Sequence, residues 1–82
     1  MSNYQKSKKV FCEAFEIKED ILKELEYQSI TQWDSIGHMT MIGLLEDEFD
    51  IMMEMDDIID FSSFKKGIET LAKYKILIES DD

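Results

Sequence analysis

Apolar residues along the chain recur at helical rather than alternating spacing, which predicts helices instead of strands. From Asn3 to Phe15, the residues Tyr4, Phe11, Ala14 and Phe15 fall near one stripe, while Lys6, Lys8, Lys9 and Glu13 lie elsewhere. From Ile17 to Trp33 the regularity lapses. Ile21, Leu22 and Leu25 suit a short helical turn, and Tyr27 to Gln32, polar and β-branched, reads as a loop. A connection of this length in a small domain packs its own side chains or serves a function. The clearest helix opens at Asp34-Ser35, residue types whose side-chain oxygens cap free backbone N–H groups. His38, Met41, Ile42, Leu45 and Phe49 then keep the spacing of one helical face, the expected core face.

Ile36, Met39, Thr40, Gly43 and Asp47 fall on the opposite side of this helix, flanked by Leu44 and Glu46. That outward face carries apolar groups where a merely soluble surface would carry charge. Gly37 and Gly43 each cost about 1 kcal/mol relative to alanine inside a helix, so glycine is either tolerated there or lets something approach closely. Beyond Asp50, a loop through Ile51-Met52-Met53-Glu54-Met55 leads into one or two turns over Asp56–Phe61. Ser62 or Ser63 caps a last helix with Phe64, Ile68, Leu71 and Ala72 on one stripe. Ile76 to Ile78 extend it or pack as a short tail, and residues 79–82 are expected to fray. The pattern predicts an all-α fold, a small bundle of three main helices plus one short helix, in a single domain over 1–82.

Composition narrows what such a bundle can do. With 82 residues, 44% of them hydrophobic, the chain can close one core and has no room for a second domain. Nine lysines, no arginine and 19 acids give a net charge of −10, which opposes binding to nucleic acid or anionic membranes and favours a cationic partner. No lysine lies between Glu24 and Phe64, a stretch holding eleven acids. These acids form either a solvated face or a docking surface. The one cysteine, Cys12, cannot form an internal disulfide, and its neighbours Val10, Phe11, Ala14 and Phe15 suit a small packed hydrophobe as an alternative to a reactive thiol. Without a signal-peptide pattern or a run of about 20 apolar residues, a cytoplasmic protein without membrane insertion is expected.

Few residues suit catalysis. His38 on an inner helix face reads as a packed side chain, or as a base beside Ser35 three residues earlier, although no third group is evident to orient it. Asp47, Asp50, Glu54, Asp56 and Asp57 are dense, but counting from Asp47 puts Met52 sixth and Ile58 twelfth, where a calcium loop needs glycine and glutamate. No dedicated metal site is expected. Met41, Met52, Met53 and Met55 are either core filling or a yielding lining for a guest chain. Ser35, at the exposed start of a helix, is reachable by a modifying enzyme, and a phosphate there gains from the helix dipole and free N–H groups.

Trp33-Asp34-Ser35-Ile36-Gly37-His38, followed by Leu44-Leu45-Glu46-Asp47-Glu48-Phe49 and then Met55-Asp56-Asp57-Ile58, resembles the acyl carrier protein family over nearly the whole chain. The resemblance implies a protein that is not itself an enzyme. Ser35 would be the attachment point for 4′-phosphopantetheine taken from coenzyme A, which carries acyl or aminoacyl groups as thioesters. Asp34 would cap the helix and take part in recognition by the phosphopantetheinyl transferase, where the family also expects Mg²⁺. Ile36, Met39, Glu46, Asp47 and Glu48 would meet acyl- or aminoacyl-loading and acyl-using enzymes through basic docking patches, the carrier itself being a monomer. Ile36 replaces the family's usual leucine. Gly37, His38 and Thr40 stand where fatty-acid-synthesis carriers commonly place acids, a form closer to stand-alone carriers of specialised pathways. The rival expectation from another class is an acidic interaction or regulatory module that is never modified.

Overall fold

The computed structural model describes residues 2–76. Helix α1 spans Asn3–Phe15 and opens on a reciprocal cap: the Ser2 hydroxyl accepts the Gln5 N–H at 3.1 Å, and the Gln5 side chain accepts the Ser2 N–H at 3.2 Å. A 3₁₀ turn over Glu19–Glu24 follows, then α2 (Ser35–Phe49), α3 (Met55–Asp60) and α4 (Phe64–Ala72). The architecture is the expected all-α bundle of three main helices and one short one. Among the described residues there is no strand; one antiparallel bridge, Glu26 to Ser63, ties the first long loop to the start of α4.

The core is aromatic and centres on α1. Phe11 meets Trp33 and Phe64 edge-on, with centroids at 5.7 and 4.9 Å, and stacks on Phe61 at 5.9 Å. Phe15 stacks on Trp33 at 5.1 Å. Four separate segments thus converge on one ring cluster, which fixes their mutual positions. Along α2 the buried residues are Met41, Ile42 and Leu45, as the periodicity predicts, whereas His38 and Phe49 are half-buried. Leu44, expected beside the outward face, packs against the core. Ala72, expected on the buried stripe of α4, is its last residue and is exposed, while Thr70 and Leu71 take the buried side of that turn. Residues 77–82, including the expected frayed end, lie outside the described residues.

Two helices, α1 and α2, end on a left-handed cap, and the turn that follows α4 repeats the pattern. Past α1, α2 and α4 stand Glu16, Asp50 and Lys75, all at positive φ of 55°, 53° and 64°. Each is followed by an isoleucine whose N–H turns back to a carbonyl five residues earlier: Ile17 to Cys12 at 3.2 Å, Ile51 to Glu46 at 3.1 Å, Ile76 to Leu71 at 3.3 Å. All three isoleucines pack against the core. The pattern satisfies the last helical carbonyls and adds the hydrophobic contact that accompanies such stops. No glycine is used for it: the three triplets read Phe-Glu-Ile, Phe-Asp-Ile and Tyr-Lys-Ile.

The glycines serve other needs. A methyl group on Gly37 would run into the Gln32 carbonyl, so of the two readings of this glycine the close approach holds, made by the chain's own loop. Gly43 has nothing near its outward side. Gly67, on α4, lies directly against the Phe61 ring.

Candidate functional site at the start of α2

Ser35 is the first residue of α2 and is exposed. Its position follows from two contacts flanking it. The Asp34 side chain accepts the Gly37 N–H at 2.8 Å, starting the helix at Ser35. Trp33, before the cap, is fully buried and pairs with His38 in the second turn, rings nearly parallel at 15° and 6.1 Å apart. An apolar contact across a cap fixes the angle at which the chain enters the helix. Trp33 therefore anchors the cap inside while Ser35 faces solvent.

His38 completes this anchor. The Trp33 Nε1–H donates to His38 Nδ1 at 2.9 Å, and an indole nitrogen can only donate, so Nδ1 bears no proton. The proton therefore lies on Nε2, which donates to the Ile58 carbonyl at 2.8 Å. Both ring nitrogens are engaged, leaving no lone pair to accept a proton from Ser35. The imidazole joins the first loop, α2 and α3, in the packed role that was one of its two readings.

Beside Ser35 opens a groove of about 380 Å³ between α2 and α3, lined by Tyr27, His38 and Met39 on one side and Met55, Ile58 and Ile59 on the other. Around it the surface is unusually apolar. Ile36 is 77% exposed, Met39 54%, Met55 70% and Ile59 70%. The four methionines singled out from the sequence divide: Met41 and Met53 are core, while Met52 and Met55 are exposed. Core filling thus holds for two of them. Met55 and Ile59, unrecognised as a pair in the sequence, are one helical turn apart on α3, a spacing that could have flagged them.

The acids expected to meet partners differ in their freedom. Asp47 is exposed, whereas Glu48 and Glu46 are half-buried. The Glu46 carboxylate accepts the Met53 N–H at 2.9 Å, holding the loop between α2 and α3. Of the acids in the lysine-free stretch, Asp57 does find a cation, since Lys73 lies 3.1 Å from it. Among the described residues no group of three or more His, Cys, Asp or Glu is placed to hold a metal ion, and no helix is long and apolar enough to cross a membrane.

Two titratable environments depart from the ordinary. Burial, then the Glu19 carboxylate, push the half-buried Cys12 thiol above its usual value, which suits packing rather than nucleophilic use. The hydrogen bond from Tyr74, then that from Lys73, hold the Asp57 carboxyl below its usual value. The same contact with Asp57 raises the Tyr74 hydroxyl and, with the charge of Asp57, the Lys73 ammonium. The signs are definite. A lowered carboxyl contributes stability above its unfolded value of about 3.9, lost as pH falls through the lower folded one; a raised phenol contributes below about 10, lost as pH climbs through the folded one. The attachment of Asp57 to Tyr74 is therefore expected to be intact from weakly acidic to weakly alkaline pH and to loosen at both extremes. Following the Glu54 amide resonance with pH checks this, and a flat acid limb in the parent, matching Tyr74→Phe, would contradict it.

No protein-family model, curated protein or solved structure matches the chain.

Proposed function

We propose that the chain is a carrier protein like those of the acyl carrier family, modified at Ser35 with 4′-phosphopantetheine and read by partner enzymes through the α2–α3 surface. The observation that carries this reading is the exposed serine at the first position of α2, in Trp-Asp-Ser-Ile-Gly-His, beside an apolar groove. The residues present suit the group: a phosphodiester on Ser35 sits at the N-terminus of a 15-residue helix, where the dipole and first-turn N–H groups favour negative charge. When bound, the arm supplies a thiol that carries acyl or aminoacyl cargo as a thioester. The chain's own residues do the rest. Asp34 and Trp33 hold Ser35 outward, and Met39, Met55 and Ile59 offer an apolar lining near the attachment point.

Ile36 and Met39, exposed beside Ser35, supply apolar contact to a docking enzyme, and Asp47 and Glu48 supply charge for its basic patch. Exposed pairs are individually worth about 0–1 kcal/mol, so their main effect falls on association rate and salt sensitivity. Such binding suits a carrier that must leave each enzyme quickly. The single cysteine fits a reducing cytoplasm.

The test is an intact-mass measurement after incubating the chain with coenzyme A, Mg²⁺ and a broad-specificity phosphopantetheinyl transferase. One adduct is expected, absent in Ser35→Ala. Folded protein that stays unmodified with several transferases would instead make this surface the face of an unmodified interaction module.

A further inference from the structure

Helix α3 forms one wall of the groove, yet it has little of its own to hold it. It has six residues, none fully buried and only Ile58 packed in part against the core, and its N-cap residue Glu54 offers no side-chain cap. An isolated helix of that length does not persist in water. Its remaining attachments come from elsewhere. At the far end, His38 donates to the Ile58 carbonyl at 2.8 Å. At the near end stands Tyr74, half-buried just past α4. Its hydroxyl accepts the Glu54 N–H at 2.8 Å and donates to Asp57 Oδ2 at 2.5 Å, while Lys73 donates to Asp57 Oδ1 at 3.1 Å.

The arrangement has the logic of a capping box with one bond lengthened. In the usual box, the acid at the third helical position reaches back to the N-cap N–H. Asp57 is the third residue of α3 and Glu54 its N-cap, and here the Tyr74 hydroxyl is inserted between them. A phenol both accepts and donates, so it bridges an N–H and a carboxylate without leaving either unpaired. Charged groups near this site are Lys73 and Lys66 on the side of Asp57 and Asp60 on that of Lys73.

We propose that Tyr74 is the N-cap of α3 supplied from outside the helix, and that with Asp57 it positions α3 as the groove wall, so that α3 opens as a unit separate from the core. The functional meaning of that opening rests on the carrier reading; the opening itself does not.

The experiment is amide hydrogen exchange by NMR on the full, unmodified chain and on Tyr74→Phe, which keeps the ring and removes the hydroxyl. Two lost hydrogen bonds correspond to at least tenfold faster exchange at about 1 kcal/mol each, expected at Glu54, Ile58, Ile59 and Asp60. Core amides of α1 and α2 are expected to keep their protection. Unchanged exchange in α3 overturns the proposal, and so does an equal rise in every helix, which would make Tyr74 an ordinary stabilising residue. Asp57→Asn supplies the second arm. Because both residues act through one bridge, the effect of the double variant falls short of the product of the single effects; a full product overturns the shared bridge. If Ser35 proves unmodifiable, the carrier reading fails while these exchange results still decide the role of Tyr74.

Discussion

Trp33→Ala is expected to lower the unfolding free energy by about 3–5 kcal/mol, the range for deleting a large buried aromatic. Domains have roughly 0.05–0.15 kcal/mol of stability per residue, on the order of 4–12 kcal/mol for 82 residues, so this one change takes a large share. The indole touches Phe11, Phe15, Tyr27 and His38, and is fully buried although it belongs to a loop. Its removal leaves a cavity among rings from separate segments and frees the entry to α2. Trp33→Phe divides the effect: most of the packing remains, but His38 Nδ1 loses its donor at a cost of about 1–3 kcal/mol. Denaturant unfolding followed by far-UV circular dichroism measures both. A midpoint for Trp33→Ala within error of the parent would remove Trp33 from the centre of this account.

Gly37→Ala and Gly43→Ala are expected to move stability in opposite directions. Both glycines lie within α2, and helix propensity alone predicts a gain of about 1 kcal/mol for each. At Gly43 the new methyl meets open space, so the gain is realised and the melting temperature rises. At Gly37 it meets the Gln32 carbonyl, a backbone atom that cannot rotate aside. The loop must shift, and it carries Trp33 and Asp34, the two residues that place the start of α2. Overpacking of this kind typically costs about 1–3 kcal/mol, enough to reverse the propensity gain. A matched pair of thermal melts decides the matter; two increases of similar size would show that the loop yields freely.

How much of this was legible beforehand depends on where a residue's reason lies. Helix α2 was readable because its signals are local: Asp34 caps, and Met41, Ile42 and Leu45 keep a helical period. The burial of Trp33 and Phe61 was not read, since both stand in connections with no periodicity to place them, and they are buried by partners on other elements. A local clue existed for Trp33 in its spacing to His38 across the cap. Half of the methionine cluster turned outward, Met52 in the loop before α3 and Met55 on α3, which turns only Ile58 toward the core, so proximity in sequence to Met53 carried no information about either. Glu46 was read as a partner contact because nothing in the sequence ties it to the Met53 backbone. The bridge through Tyr74 was invisible for a similar reason: it joins residues 17 and 20 positions apart by a single hydroxyl.

The isoleucine stops have a consequence for recognition. With the Asp34 cap at one end and Ile51 seated in the core at the other, α2 cannot slide its boundaries without exposing an apolar side chain or stranding carbonyls. Its 15 residues, rising about 1.5 Å each, become a gauge of about 22 Å with the serine at one tip and the acids Asp47 and Glu48 near the other. On the proposed carrier reading, an enzyme that touches both ends measures a length as well as a charge. An acidic helix of equal charge but one turn shorter would present its serine about 5 Å out of place for such an enzyme.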